Sequence, residues 1–256
     1  MTRGHGGHGG HGGHGGDSPL CPPLGTEGTV PAVARTFVLY CSMVLRSLSP
    51  RGDDPLREPT RGGQTRARIV AAALDLASRT GIASLTIGAL AEATGLSKSG
   101  LFAHFGSSEA LAIAVLEAAE DEFTHLVWVP AQRHEPGRAR LFAVLDAWIG
   151  WQRRAGMSGG CPFVGAVAEF DDRPGPVRDR LAGSQSRWLD ALTQLAADAI
   201  ASGPLVHDTD ARDVATDLLG IYLAWHWSSR LLDDGEAEAR ARRAMAWRIG
   251  APITTR

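Results

Sequence analysis

The clearest candidate for a functional surface is one face of a short helix predicted over residues 98–105, within the stretch TIGALAEATGLSKSGLFAHF. Leu101 and Phe105 are four residues apart and point inward. The outer face is formed by the remaining residues of this helix, namely Lys98, Ser99, Gly100, Phe102, Ala103 and His104. This face combines a cation, hydroxyl and imidazole groups, and small residues that allow close approach. That chemistry suits contacts with the phosphates and base edges of DNA.

Two short helices and a turn must hold this face in place. Thr86 is suited to cap the first helix, and Gly95 to end it in a left-handed conformation. Leu96 is expected to fill the corner, and Ser97 to cap the second helix. Ala91 lets the two helices cross closely because its side chain is small. The pattern predicts a helix-turn-helix.

Residues 66–123 resemble the N-terminal domain of the TetR family of transcriptional regulators. The resemblance includes an apolar first helix, a G-x-x-x-x-T link from Gly81 to Thr86, a recognition helix that ends in H-F, and the S-x-E-A-L start of a fourth helix. The first helix has apolar residues at a helical period, namely Ile69, Ala73, Leu76 and Ala77. The resemblance implies an all-α fold, in which a three-helix helix-turn-helix DNA-binding domain is followed by a helical ligand-binding and dimerisation domain.

The same resemblance implies a set of DNA-binding residues. They are Thr86, Lys98, Ser99, Gly100, Phe102, Ala103, His104 and Ser108. Phe102 stands where the family usually has Tyr, Ser108 where it often has Lys, and Gly100 where Thr is common. Lys98 is the only lysine of the chain, and it either contacts DNA or is simply solvated. His104 either contacts phosphate or serves in helix capping or packing.

Composition favours a regulator over an enzyme or a membrane protein. The formal net charge is −2, but residues 57–108 hold six basic and three acidic side chains, so the positive excess is local. Cys21, Cys41 and Cys161 have no metal-binding or disulfide spacing, which indicates a reducing cytoplasm. An apolar run within residues 33–48 is too short to span a bilayer. We expect a cytoplasmic protein that has no cofactor and no membrane partner.

The first sixty residues differ from the rest, because they are rich in Gly, Pro and His and repeat the unit His-Gly-Gly. We expect residues 1–60 to be a disordered extension, or to include sequence upstream of the true start, since Met43 lies nearer the usual beginning of such regulators. The alternative is a metal-binding tail. Its ligands would be His5, His8, His11 and His14.

The pattern predicts a DNA-binding domain over residues 61–123 and a helical effector-binding and dimerisation domain over residues 124–256. Pro162, Pro176 and Asp210 are each suited to a helix start. The predicted helices cover residues 139–154, 162–170, 176–202, 210–232 and 236–249.

Large aromatic residues are concentrated in this second domain. Trp148, Trp151, Phe163 and Trp188 fall on three predicted helices that can enclose a flat apolar ligand, although a helical core also needs such side chains. The predicted ligand-binding residues are Trp148, Trp151, Cys161, Phe163, Trp188 and Trp225. Cys161 is either a redox sensor or a buried inert thiol. His226 is predicted to be a structural hydrogen-bonding group.

The helix over residues 210–232 has two apolar faces, which predicts a homodimer. Val214, Leu218 and Trp225 belong to one face, whereas Leu223 and Leu231 belong to the other. We predict a repressor that binds double-stranded operator DNA and is released by a small apolar effector. The alternatives are a metal-responsive protein that uses the His-rich segment and a thiol enzyme. An enzyme is not expected, because no recognisable nucleophile motif accompanies Cys161.

Overall fold

The computed structural model describes residues 61–203 and 210–250, and this part of the chain is helical without a β-strand. The predicted extension, including its four histidines, lies outside the described residues. In chain order the α-helices of four or more residues are α1 Arg61–Thr80, α2 Ile87–Thr94, α3 Lys98–Phe105, α4 Ser108–Phe123, α5 Arg138–Trp148, α6 Trp151–Arg154, α7 Pro162–Phe170, α8 Pro176–Ala201, α9 Ala211–Leu231 and α10 Ala237–Arg248. This all-α architecture confirms the predicted fold class.

Local hydrogen bonds begin and end the helices of the helix-turn-helix as the sequence predicts. The Ala89 N–H donates to the Thr86 hydroxyl, and the Gly100 N–H donates to the Ser97 hydroxyl. Gly95 ends α2 with φ 69°, a left-handed conformation that glycine adopts without steric cost. These local hydrogen bonds contribute to the orientation of α3 relative to α2 independently of contacts with distant residues.

The core of the N-terminal part is formed by α1 against α4, with α2 and α3 packed on one side. Ile69, Ala73 and Ala77 of α1 are buried, as their helical spacing predicts. The prediction that Leu96 fills the corner is wrong, because 42% of Leu96 is exposed. Leu90 and Leu101 are fully buried and pack in this core, so the turn residue is left at the surface.

The C-terminal part is a bundle in which α8 packs against α9, α5 and α4, and α9 also packs against α10. The helix limits agree closely with the predicted ones except over residues 139–154. There α5 ends at Trp148, Ile149 is extended, and Gly150 is left-handed with φ 72° before α6 begins. Trp148 and Trp151 therefore do not share the face of one helix, because this break reorients the chain between them.

Helix α4 continues beyond Phe123 through a π-helical turn, Thr124–Trp128, into the short helix Val129–Ala131. A π-turn shifts the register of side chains around a helix and is frequent at functional sites. Among the described residues no single helix is long and apolar enough to cross a membrane; only the pair Lys98–Phe105 and Ser108–Ala131, bent by 69°, meets that length and composition together.

Candidate functional site

The outer face of α3 is open to solvent. Lys98, Ser99, Gly100 and Ala103 are exposed, His104 is half-buried, and Phe102 is 59% exposed. The opposite face carries the buried Leu101 and Phe105. The Arg66 guanidinium lies 5.1 Å from the centre of the Phe105 ring, a cation–π contact that ties α1 to α3. The predicted reading face is thus presented outward on a helix whose inner face is anchored.

Ser108 and Thr86 lie at the N-termini of two further helices on the same domain and are both exposed. Ser107 caps α4 by accepting a hydrogen bond from the Ala110 N–H at 3.0 Å, which leaves Ser108 as the first helical residue. A helix N-terminus presents free backbone N–H groups and the positive end of the helix dipole. This arrangement can bind a phosphate even though Ser108 carries no charge.

A cavity of about 290 Å³ lies within the C-terminal bundle. It is walled by side chains of α4, α5, α7, α8 and α9 and of residues adjoining them. The residues that line it are Glu120, Phe123, Thr124, Trp148, Cys161, Phe163, Val164, Val167, Ser184, Gln185, Arg187, Trp188, Leu219, Tyr222 and Leu223. A mainly apolar wall with five aromatic rings and a few polar groups is typical of a small-molecule site.

Ring contacts organise the wall of the cavity. Trp148 stacks on Tyr222 with ring centres 4.1 Å apart and planes at 9°, and Trp188 meets Trp148 edge to face at 5.0 Å. Phe123 meets Trp188 edge to face at 4.8 Å. Packed rings from four helices hold one another in fixed orientations, so the cavity is preformed.

The structure brings together four of the six predicted ligand-binding residues in this wall, namely Trp148, Cys161, Phe163 and Trp188. Trp151 and Trp225 are not among the lining residues. Trp151 is buried behind Phe123 and Phe163, and Trp225 packs against Tyr222 at 5.1 Å. Both side chains are buried in the core next to residues that line the cavity. Trp151 follows the break at Gly150, and Trp225 lies one turn beyond the lining residue Tyr222 on α9.

Sequence reasoning missed several polar lining residues, chiefly Glu120 and Arg187. Glu120 Oε2 accepts a hydrogen bond from Arg180 at 2.7 Å and lies 3.7 Å from Arg187 Nη2. The other oxygen, Glu120 Oε1, is buried without a hydrogen-bond partner, as is Trp188 Nε1. Each unsatisfied buried polar group costs about 1–3 kcal/mol. The π-helical turn that begins four residues after Glu120 is the local feature closest to these residues, and the sequence pattern does not predict that turn.

Cys161 and Tyr222 are neighbours at the wall. Burial raises the pKa of the Cys161 thiol, although the nearby Tyr222 hydroxyl favours the thiolate and offsets part of this effect. Burial also raises the pKa of Tyr222 well above its usual value. Both groups are therefore protonated at neutral pH, and the geometry favours an inert Cys161 thiol over a redox-active thiolate.

Residues 158–160, here called the linking segment, join the cavity to the DNA-binding part. The Ser158 backbone N–H and hydroxyl donate to Asp75 Oδ1 at 2.7 and 2.6 Å. These hydrogen bonds hold the pKa of Asp75 below its usual range. The N–H groups of residues 159 and 160 donate to the Ser78 hydroxyl and carbonyl at 3.0 and 2.9 Å.

Helix α7 follows the linking segment and has a second attachment to the DNA-binding part. Near its C-terminal end, Glu169 Oε2 accepts a hydrogen bond from the Ala83 N–H at 2.9 Å. At its beginning, the Cys161 N–H donates to His226 Nε2 of α9 at 3.1 Å. The predicted structural role of His226 agrees with this bond. Phe163, Val164 and Val167 of the same helix line the cavity, so one short helix contacts both the cavity and the DNA-binding part.

The second apolar face of α9 is uncovered in the single chain. Trp227 and Leu231 are 55% and 67% exposed, and Leu223, Leu232 and Trp247 are also exposed. Contiguous exposed apolar side chains of this size mark an interaction surface. Within the described ranges, no group of three or more His, Cys, Asp or Glu side chains is placed to hold a metal ion.

Two family models match the sequence. The model "Bacterial regulatory proteins, tetR family" matches residues 69–115, and "Tetracyclin repressor-like, C-terminal domain" matches residues 137–245. Together they cover more than half of the chain. No match was found among curated proteins.

Solved structures share this fold. A TetR transcriptional regulator from Chloroflexus aurantiacus is 28% identical with a TM-score of 0.65, and the match covers 73% of this chain and 94% of that one. A TetR-family regulator from Cytophaga hutchinsonii is 20% identical with a TM-score of 0.64, covering 78% of this chain and all of that one. AibR, solved in complex with isovaleryl coenzyme A and operator DNA, is 20% identical with a TM-score of 0.58, covering 72% and 96%.

Proposed function

The chain belongs to the TetR family of transcriptional regulators, and from this premise we propose that it is a homodimeric repressor released from its operator by a small molecule. The observation that carries the proposal is the pairing of an exposed reading face on α3 with a separate, aromatic cavity in the C-terminal bundle. The structural neighbour AibR has been solved in complex with isovaleryl coenzyme A and operator DNA. A sensor needs two such sites and a physical link between them.

The proposed DNA contacts divide by chemistry. Ser108 and Thr86 at helix N-termini, together with His104, are suited to phosphate, whereas Lys98 and Ser99 at the start of α3 are suited to base edges or phosphate. Two copies of α3 in a dimer would enter successive major grooves about 34–36 Å apart. The uncovered apolar face of α9 is the proposed dimer surface, which sets that separation.

The proposed effector site is the cavity, and α7 is the proposed link. A ligand that presses on Phe163 or Val167 displaces α7, and the linking segment and Glu169 transmit the displacement to α1 and to the turn before α2. Ligand binding needs only to favour one orientation of the DNA-binding part over another for the separation of the reading faces to change. A difference of 1–3 kcal/mol between the two orientations corresponds to about 5–150-fold in operator affinity.

Selection of DNA bound by the full-length protein from a random pool tests the function. We expect enrichment of a pseudo-palindrome, since a two-fold dimer reads two half-sites. Fluorescence anisotropy on the selected duplex then measures the affinity, and small molecules that quench tryptophan fluorescence are tested for release. Recovery of no preferred sequence would contradict the proposal, and tighter DNA binding with ligand would contradict repression by release.

A further inference from the structure

We infer that the cavity is completed by a second copy of the chain, which covers the mouth of the cavity at Val167, Arg187 and Leu223. The inference rests on the proposed function, because it joins the proposed effector site to the proposed dimer surface. It follows from where the cavity reaches the surface, from a residue that the cavity shares with the apolar face of α9, and from the order of small and large residues along that face.

The cavity reaches the surface of the single chain between α7, α8 and α9. Of the residues that line it, Val167, Arg187 and Leu223 are exposed, one on each of these helices, and the others are buried or half-buried. Val167 and Leu223 are both 43% exposed, so cover by a second molecule removes apolar surface from water. Arg187 Nη2 lies 3.7 Å from Glu120 Oε2, so the same cover does not bury an unpaired charge.

Leu223 belongs both to the mouth and to the exposed apolar face of α9. It lines the cavity together with Leu219 and Tyr222 of the same helix. A step of four residues advances about 40° around an α-helix, so Trp227 and Leu231 lie within about 80° of Leu223. They are 55% and 67% exposed. A partner that packs on Trp227 and Leu231 therefore also reaches Leu223 and the edge of the mouth.

The exposed stripe of α9 suits a second copy of the same helix. In chain order the stripe consists of Thr216, Gly220, Leu223, Trp227 and Leu231, so the small residues come first and the large ones last. A Cβ at Gly220 would have no neighbour within 4 Å, which leaves space beside the helix at that point. In a two-fold dimer each contact occurs twice. Two antiparallel copies of α9 that cross at Leu223 thus place the large end of each stripe over the small end of the other, with both mouths beside the crossing.

A mouth closed in this way links the effector to the arrangement of the two copies. An effector enters when the copies separate or shift, and once bound it lies beside the contact that sets the distance between the reading faces. Effector binding and dimer arrangement are then coupled, and each changes the equilibrium of the other by the same factor.

The reactivity of Cys161 tests the inference without a known effector. Cys161 lines the cavity and is 5% exposed. It is the only thiol in a full-length protein that carries Cys21→Ser and Cys41→Ser. Addition of this thiol across the double bond of N-ethylmaleimide is followed by mass spectrometry. We expect the rate to rise about tenfold or more when the dimer becomes a monomer, because the reaction no longer depends on the small fraction of dimers with an open mouth.

Leu231→Glu in this background supplies the monomer. Leu231 lies on the stripe but does not line the cavity, and it is about 12 Å from Leu223 along the helix axis. Val129→Glu is the matched control, because it introduces the same charge at an exposed apolar residue outside the stripe and the cavity. That variant should stay dimeric and react slowly. Thermal melting followed by circular dichroism shows that each variant is folded.

Dilution provides a second measurement that does not depend on the folding of Leu231→Glu. In the protein with Cys161 as its only thiol, the rate should rise as the concentration falls through the dimer dissociation constant, which is measured by fluorescence-detected sedimentation. Equal rates for monomer and dimer, or a Leu231→Glu protein that remains dimeric, would overturn the inference. The proposed function fails differently. If dimerisation protects Cys161 but no small molecule releases the operator, repression by release is wrong and closure of the mouth stands.

Discussion

Single side chains on the reading face differ in what they contribute. Lys98 brings the only positive charge on the exposed face of α3, while Gly100 and Ala103 bring none and allow close approach of the backbone. Phe102 keeps an exposed ring but offers no hydroxyl donor, and His104 is partly buried beside Phe105. Affinity that depends on charge should therefore be concentrated in Lys98 on this helix.

Replacement of Lys98 by Ala is expected to weaken operator binding. If Lys98 contacts phosphate, affinity falls on all sequences and the slope of log affinity against log salt flattens by about one. If it reads guanine, the loss is about 1–3 kcal/mol and confined to one base position. Anisotropy titrations at several salt concentrations separate the two, with Lys98→Arg as the charge-preserving control. Unchanged affinity at every salt concentration would exclude both roles.

His226 predicts a pH dependence of stability. Burial and the nearby positive charge of Arg230 lower its pKa from the usual 6.5. Below the unfolded value the unfolded chain binds more protons than the folded one, so stability contributed by His226 is present above about pH 6.5 and is lost as the pH falls.

We expect the melting temperature to drop less between about pH 7.5 and 5.5 in His226→Gln than in the unsubstituted protein. Glutamine retains an acceptor for the Cys161 N–H but does not titrate. His134→Gln is the control for the remaining imidazoles. An equal drop in both proteins would show that His226 does not contribute to the pH dependence.

Helix α7 and the linking segment form the element that is proposed to connect the two sites. Residues 158–160 make four hydrogen bonds to α1, three of them donated by backbone N–H groups. Gly159 is buried against Ser78 with no room for a side chain. A Cβ at Gly159 would lie 2.0 Å from the Ser78 carbonyl oxygen. This close approach requires glycine because the neighbouring atoms belong to backbone.

Gly159→Ala is therefore expected to destabilise the protein by about 1–3 kcal/mol and to reduce the effect of ligand on operator affinity. Gly165→Ala on α7 is the matched control. It has no neighbour within 4 Å of the added Cβ, and should stabilise the helix by about 0.5–1 kcal/mol. Chemical denaturation and ligand-dependent anisotropy measure both effects. A Gly159→Ala protein with unaltered stability and response would show that α7 is not the link.

At the scale of the whole molecule, an apolar face on α9 and α10 is uncovered in the single chain, and a second copy is proposed to cover it. Trp227 and Leu231 project from α9, and Trp247 is exposed on α10, which packs against α9. Burial of such residues contributes about 25 cal/mol for each Å² of apolar surface removed from water. The same contact would fix the distance between two reading faces, so we expect dimerisation and DNA binding to be coupled.

Leu231→Glu is expected to convert the dimer to a monomer and to abolish tight operator binding, because an unpaired charge would be buried at the interface. Light scattering after gel filtration measures the mass, and anisotropy measures DNA binding. Val129→Glu, at an exposed position on another helix, should leave both unchanged. A Leu231→Glu protein that is still dimeric would place the interface elsewhere.

The sequence by itself determined those structural features that depend on interactions between residues close together in the chain. The caps at Thr86 and Ser97, the left-handed Gly95 and the helix Pro162–Phe170 depend on hydrogen bonds and backbone preferences within a few residues. The exposed face of α3 follows because helical spacing divides inward from outward side chains. The fold class and the outward-facing residues of α3 could therefore be predicted from the sequence alone, whereas DNA contact by that face stays a prediction.

Tertiary structure decided which residues meet across distant parts of the chain. The break at Gly150 places Trp151 in the core, and the packing of α9 places Tyr222 in the cavity wall. Helix packing also pairs Glu120 with Arg180, which is sixty residues away in the sequence. Such choices depend on how helices pack, since periodicity shows that an aromatic residue is buried but not whether it borders a cavity. The contacts of Asp75 and Ser78 with the linking segment are likewise set by packing between helices rather than by local sequence.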